Sequence, residues 1–269
     1  MPELPPTEVL FQIGYAAAVS AAALLLTWPW RERGWPVPVA LGLGVLACHV
    51  ASVGFPDRAW PPARADRLFH FAALGLVLGT VEAAVRVPAV VRWILRAAAC
   101  AACAWALMPP VDPLWKVGAV GVGAFLAWSA FAWRAGHVEG YGGPAVLVVV
   151  TGAGAVALAA ARTGRLGQLA GALSAAAGPV LAYALLRRKL PLAGGAVTVY
   201  MLASLPLWIA GWRLAKLPLG SAAVLAVAPI AAQQRRGWLG VLAAGAAAAF
   251  AAYLSWRANP SEFDPSLGY

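Results

Sequence analysis

Few ionisable side chains lie within the long apolar stretches of this 269-residue sequence, and those few could do chemistry. Glu82 lies near the end of one such stretch, and Arg86 follows it at i+4. A helix would place the two side chains on one face, where they can pair. Because charges are costly inside a bilayer, they mark functional sites by default. The pair predicts either an ion- or proton-coupling site or an ion pair at the membrane surface.

A second group of ligand-type side chains lies around the junction of the second and third apolar stretches. His49 and His70 approach the same membrane face if these stretches form a helical hairpin, and Asp66 precedes His70 by one turn. Asp57 lies in the connection. Imidazoles and carboxylates can bind a divalent metal, although the spacing fits no compact signature such as HExxH. A metal site and a set of polar residues lining a hydrated loop both stay open.

Three hydroxyl side chains precede a proline inside the eighth apolar stretch. Thr198, Tyr200 and Ser204 lie on the turns before Pro206. A proline removes a helical hydrogen bond, and transporters build binding sites at broken helices near the bilayer midplane. These four residues are therefore the candidate solute-binding residues. The first half of the chain has prolines only at segment ends, so the mirror partner expected of an inverted repeat is missing.

Two further patterns favour packing over chemistry. Cys100 and Cys103 share a helix face, but a zinc site needs two more ligands, and the only other cysteine is Cys48. We interpret them as small apolar packing residues. Small residues that let two helices approach closely recur at i, i+4, i+7 and i+11 in the seventh stretch. This helix-packing stripe consists of Gly167, Gly171, Ser174 and Gly178.

The amino-acid composition indicates which kind of fold positions these candidate residues. The chain is 62% hydrophobic and 11% charged, and its mean hydropathy is +0.76. Soluble domains carry about 25% charged residues, so the solvent around this chain must be lipid. Lipid permits only helices and closed barrels, and a barrel would show segments of about ten residues with alternating polarity. The long uniformly apolar stretches therefore predict an all-α membrane protein.

The apolar stretches are separated by short charged connections, with no room for an extramembrane domain. We therefore predict one integral membrane domain over residues 1–269, a compact bundle of about ten transmembrane helices. Residues 217–232 are few for a hydrocarbon core about 30 Å thick, so nine crossings is the alternative. The predicted spans are 9–28, 37–55, 68–85, 89–108, 114–133, 144–161, 166–186, 193–212, 217–232 and 237–256.

Charge and tryptophan positions fit the membrane interpretation. The net charge of +10 comes from residues in the connections, where positive charge sets topology and contacts headgroups, so nucleic acid is not a predicted partner. With both termini outside, 11 of the 20 Lys and Arg residues lie inside, which favours that orientation. Ten of the 13 tryptophans lie near segment ends as an aromatic belt. The Ala, Gly and Arg usage indicates a GC-rich genome and a bacterial inner membrane.

Three classes of function stay open. The first is a small transporter or permease for an apolar or amphipathic solute or a lipid, working by alternating access around the seventh to ninth stretches. The second is a non-catalytic subunit or scaffold of a larger membrane complex, and the third is a membrane enzyme acting on a lipid. The sequence has no GxSxG, Walker A or HExxH motif, which favours a non-enzyme. No catalytic residue or cofactor is predicted; the predicted partners are the bilayer and either a second copy or other membrane subunits.

A cysteine at position 204 separates a transporter with a central aqueous path from a dry scaffold. In a background without the native cysteines, Ser204→Cys should react with a membrane-impermeant thiol reagent if the solute path passes Pro206. Mass spectrometry of protein labelled in its own membrane measures the reacted fraction. An unreactive cysteine would contradict a water-filled path along the eighth segment.

Overall fold

The computed structural model describes residues 6–31, 33–54, 66–135, 140–161, 163–187, 194–231 and 237–259. Within these ranges the chain is helical and contains no strand, which confirms the predicted helical bundle. The helix bounds follow the predicted apolar stretches to within a few residues. The helices are α1 Pro6–Leu26, α2 Pro36–Val53, α3 Asp66–Ala84, α4 Ala89–Leu107, α5 Leu114–Ala135, α6 Gly142–Ala160, α7 Gly164–Arg187, α8 Gly195–Leu214, α9 Leu219–Ala231 and α10 Gly237–Ala258.

Eight of the described helices are long and apolar enough to cross a membrane, and together they indicate an integral membrane protein. The two shorter apolar helices are α2 and α9. The short ninth helix was expected, and its 13 residues correspond to about 20 Å. Helix α2 has 18 residues, nearly as many as α3, α4 and α6, which have 19 each. This helix ends because Gly54 adopts a φ of 91°, a left-handed conformation that stops a helix.

Contacts between helix ends define two sides of the bundle. The Tyr183 hydroxyl at the end of α7 donates to the carbonyl of Arg31, which follows α1. At the other side of the bundle, the Asn259 amide after α10 donates to the carbonyl of Lys216, which precedes α9. We call these two sides the Arg31 face and the Asn259 face. The ends of α1, α3 and α7 and the starts of α2, α4 and α8 lie at the Arg31 face.

Helix α8 lies at the centre of the bundle. It packs against α2, α3, α4, α5, α6, α7 and α9, and nearly all of its residues are buried. A helix that is apolar on all sides is expected to be buried on all sides. Close approach is possible because glycines lie opposite it: the Trp208 ring packs on Gly154 of α6, and the α8 backbone at Gly195 lies against Gly79 of α3.

Serine hydroxyls join neighbouring helices inside the bundle. The Ser20 hydroxyl of α1 donates to the Ala176 carbonyl of α7 at 2.8 Å, and the Ser221 hydroxyl of α9 donates to the Ala251 carbonyl of α10 at 2.9 Å. The Ser255 hydroxyl of α10 donates to a carbonyl of α6 at 2.6 Å. Because lipid tails are as apolar as the helices, such bonds and the packing of small residues supply much of the association.

The α4–α5 hairpin lies at the edge of the bundle. The two helices pack mainly on each other, and outside the hairpin they touch α8, α9 and, only slightly, α3. The loose contact between α3 and α4 leaves a crevice at the Arg31 face. The hairpin is therefore the element with the least apolar attachment to the rest of the described protein.

The contact between α3 and α8 should tolerate no added side chain. A Cβ at position 79 would lie 2.5 Å from the Gly195 carbonyl oxygen, closer than real Cβ atoms lie to any neighbour. Gly79→Ala should therefore lower the free energy of unfolding by about 1–3 kcal/mol. The measurement is the thermal unfolding midpoint in detergent micelles.

Gly123→Ala in α5 is the matched control, because nothing lies within 4 Å of the added Cβ. This variant should unfold at the same temperature as the parent or slightly above it, since alanine is the better helix former. Equal midpoints for the two variants would contradict the close packing of α3 on α8.

Candidate functional site

Glu82 is paired with α4 and α8. Its Oε1 accepts a hydrogen bond from Arg96 at 3.0 Å, and Arg92 lies 3.8 Å away. Its Oε2 accepts from the Thr198 hydroxyl of α8. The partner predicted from sequence, Arg86, does not pair with Glu82 among the described residues. Helix α3 ends at Ala84, before Arg86 can reach the i+4 position.

The local fold explains why α4 supplies the partners. Helix α4 begins directly after Pro88, and the short turn before it folds the chain back against the end of α3. Arg92 and Arg96 are one turn apart, so both face the end of α3. Both arginines lie within the predicted span 89–108, so the sequence already marked them as charges inside an apolar stretch. Only the geometry of the turn shows that they, and not Arg86, pair with Glu82.

The cluster is buried, and its formal charge is positive. The side chains of Glu82 and Arg96 are 10% and 12% exposed, whereas that of Arg92 is 41% exposed. Two guanidinium groups face one carboxylate, so the site carries an excess positive charge. A buried charge requires a close partner, and Arg96 is that partner for Glu82. Arg92 is the guanidinium that the carboxylate neutralises least.

A small cavity of about 40 Å³ adjoins this cluster between α3 and α4. Its apolar wall is formed by Leu78, Val81, Val87 and Leu95. Val81 and Leu95 are 47% and 41% exposed, so the wall continues onto the outer surface of the bundle. Trp128 of α5 completes the interior end. We call this cavity and its lining the α3–α4 crevice.

Two buried donors, each on a residue that lines the crevice, have no acceptor among the described residues. They are Nε of Arg96 and Nε1 of Trp128, whose residue is 1% exposed. The Arg96 guanidinium lies 5.8 Å from the centre of the Trp128 ring, a cation–π distance. Sequence reasoning missed Trp128. Its signal was a tryptophan five residues inside the predicted span 114–133, not counted in the interfacial belt.

The predicted solute residues do not gather around a common space. Thr198, Tyr200, Ser204 and Pro206 are all buried in α8, but only Thr198 lines the crevice. Tyr200 packs against Phe131 at a ring distance of 5.8 Å. Its hydroxyl lies near that of Ser204 without the geometry of a hydrogen bond. Pro206 lies inside α8, as predicted.

The residues of the predicted metal site lie near the Asn259 face without forming a ligand set. His70 Nδ1 lies 2.7 Å from the backbone carbonyl of Asp66, so the ring binds main chain. The His49 ring packs on Phe69 at 5.4 Å. In the part of the chain that the structure describes, no three His, Cys, Asp or Glu side chains come close enough to hold a metal. Asp57 lies outside the described residues.

The small-residue stripe of α7 lies mainly against α6. A Cβ at Gly167 would meet the Ala155 carbonyl at 3.2 Å, and the Ser174 hydroxyl donates to the Val148 carbonyl at 2.8 Å. Gly171 faces Ile13 of α1. Gly178, the fourth member, has no neighbour within 4 Å of its Cβ position. The stripe thus packs within this chain at three of its four positions.

The three cysteines are buried and free. Cys100 and Cys103 face the bundle interior from α4, and Cys48 is fully buried in α2. Their environment is the packed core. The structure therefore places them where small apolar side chains are needed.

The opposite end of the α4–α5 hairpin has its own polar contacts. Arg213 at the end of α8 pairs with Asp112 in the loop between α4 and α5, and Arg67 of α3 donates to the Ala106 carbonyl of α4. Arg213 also lies over the Trp212 ring at 4.8 Å. Charged contacts therefore connect the hairpin to α3 and α8 at both membrane faces.

Comparison with known proteins adds no assignment: no protein-family model, curated protein or solved structure matches the chain. The site is therefore interpreted from its own geometry.

Removal of the Glu82 charge should destabilise the bundle. In Glu82→Gln the buried Arg96 loses its counter-charge, and breaking a buried pair costs about 3–5 kcal/mol. The thermal unfolding midpoint in detergent should fall accordingly. Glu82→Gln/Arg96→Gln should recover part of the loss, since both charges are then absent. A single variant as stable as the parent would contradict the structural role of the pair.

Proposed function

We propose that this protein is a small permease for an amphipathic solute or a lipid, which enters through the α3–α4 crevice. One observation carries the proposal: an apolar wall continuous with the outer surface leads to a buried, positively charged group of polar side chains. An amphiphile needs both environments at once. Its tail can stay against Leu78, Val81 and Leu95 while its head reaches Arg92 and Arg96.

A lateral path suits a solute that is already dissolved in the bilayer. Such a solute needs no water-filled channel through the centre of the bundle, where α8 is close-packed from Tyr200 to Gly211. It needs an opening between two helices and polar side chains that bind its head group. The crevice supplies both, because α3 and α4 touch only slightly and the Glu82 cluster lines it beside Trp128 at its inner end.

The α4–α5 hairpin is the moving element in this proposal. Apolar contacts such as that of Phe131 with Tyr200 attach it to α8, and the Glu82 cluster at one face and the Asp112–Arg213 pair at the other add charged attachments. Ion pairs can exchange partners, whereas a close-packed apolar interface has no alternative contact of equal energy. In this proposal Glu82 is the coupling site, because Arg96 depends on its carboxylate as a partner. Alternating access then consists of rocking the hairpin against α8.

The location proposed for this function is a bacterial inner membrane. With both termini outside, the Arg31 face and the Glu82 cluster lie on the cytoplasmic side, where arginines near the surface also meet anionic headgroups.

A scaffold or subunit role is the second candidate, and a different observation favours it. The outer side of the α4–α5 hairpin carries a wide apolar depression of about 610 Å³. Its floor of small residues suits a closely packed neighbouring helix. It is lined by Ala97, Ala101, Ala102, Trp105, Leu114, Val117, Gly118, Gly121, Val122 and Phe125.

Reconstituted vesicles test the permease. Phosphatidylcholine vesicles carry a trace of a fluorescent amphiphile, and a membrane-impermeant reductant bleaches the outer leaflet. The wild-type protein should expose the inner-leaflet probe to bleaching faster than protein-free vesicles do. Leu95→Trp should abolish most of this acceleration, because the indole fills the crevice.

Leu126→Trp is the control, since Leu126 faces outward from α5 at 60% exposure and lies outside the crevice. This variant should accelerate bleaching of the inner-leaflet probe as much as the wild type does. If no probe of any head group moves faster with the protein, the permease is wrong. Fixed stoichiometry with other membrane chains after gentle extraction would then support the subunit role.

A further inference from the structure

We infer that the α3–α4 crevice selects an oxyanion head group on an apolar chain, a carboxylate or phosphate, with Arg92, Arg96 and Trp128 as its donors. The inference deepens the proposed function by naming the class of solute, and it concerns binding alone. It therefore stands or falls separately from transport.

Among the residues that line the crevice, unpaired hydrogen-bond donors outnumber unpaired acceptors. Both oxygens of Glu82 already accept bonds, from Arg96 and Thr198. Nε of Arg96 and Nε1 of Trp128 are buried without an acceptor, and Arg92 is held at 3.8 Å from Glu82. Indole and guanidinium nitrogens donate and never accept. The group that complements this crevice must therefore bring acceptors.

The net positive charge of the Glu82 cluster also favours an anionic head group. Arg96 neutralises Glu82 at 3.0 Å, which leaves Arg92 as the excess positive charge. A cationic amphiphile would meet two guanidinium groups and find the one carboxylate already occupied. A neutral head group could accept the hydrogen bonds but would leave the Arg92 charge without a partner. An oxyanion satisfies both the donors and the charge, and it suits the planar guanidinium fork.

Size limits the head group. The cavity holds about 40 Å³, whereas one water needs roughly 10–15 Å³ of the same measure. Space for about three such positions fits the oxygens of one carboxylate or phosphate and excludes a sugar. The remainder of the ligand must lie along Val81 and Leu95, which face out of the bundle, so it must be apolar.

The test is native mass spectrometry of the full-length protein in phosphatidylcholine nanodiscs, titrated with four probes. These are oleic acid, oleoyl lysophosphatidic acid, mono-oleoyl glycerol and oleyl trimethylammonium. The two anions should bind at lower concentration than the neutral and cationic probes, which share their chain. Whichever anion binds more tightly identifies the source of the head group as a carboxylate or a lipid phosphate.

Matched variants locate the binding. Trp128→Phe keeps the ring but removes the N–H, and Arg92→Gln removes the excess charge. Each should weaken binding of the preferred anion about tenfold, the effect of one hydrogen bond to a charged group. Arg86→Gln removes an exposed arginine from the same face and should bind like the wild type. The thermal midpoint of every variant is measured to confirm folding.

Equal affinity for the oleyl ammonium and the anions would overturn the inference, as would folded Trp128→Phe and Arg92→Gln variants with unchanged affinity. Anion binding lost equally in Arg86→Gln would also overturn it, by showing general surface attraction. Selective binding without probe movement in vesicles would keep the oxyanion site and refute the permease. Movement of neutral probes without anion selectivity would keep the permease and refute the oxyanion site.

Discussion

Apolar side chains gain little by leaving lipid for another helix, and the rest of this structure depends on that constraint. Other interactions must hold ten apolar helices together. Here they are close backbone approach at small residues and hydrogen bonds from serine hydroxyls to carbonyls of neighbouring helices. The central helix α8 has the first kind of contact along its length, from Gly79 at one end to Gly154 towards the other. It forms the rigid part of the bundle.

The α4–α5 hairpin is held differently. Its apolar contacts outside the hairpin are few, and charged pairs at both membrane faces attach it to α3 and α8. A buried ion pair is strong only while both partners are present, and its partners can be exchanged with a proton or an anion. The part of the described chain with the weakest packing is therefore also the part most responsive to charge. This coincidence connects the architecture to the proposed binding of an anionic amphiphile.

Two groupings expected from the sequence differ from the contacts in the structure for one physical reason. The sequence predicted an ion pair between Glu82 and Arg86, because a continuing helix would place both side chains on one face. Helix α3 ends before Arg86, and the turn that follows places Arg96 of α4 next to Glu82 instead. The hydroxyls near Pro206 were grouped by their sequence spacing, yet α8 is surrounded on all sides. Thr198 bonds Glu82 of α3, whereas the Tyr200 ring packs on Phe131 of α5. Spacing along one helix says which residues share its face. It does not say which other helix that face meets.

The sequence alone determined the helical class, the approximate bounds of the ten helices and the shortness of the ninth, because the bilayer requires long apolar segments with internal hydrogen bonds. It also marked Glu82 as unusual, since a carboxylate within an apolar stretch is costly wherever it lies. Only the tertiary structure decided which helix is central, which arginines pair with Glu82 and that Trp128 closes the crevice. Those facts depend on contacts between distant segments, and uniformly apolar helices carry little pattern that specifies their neighbours.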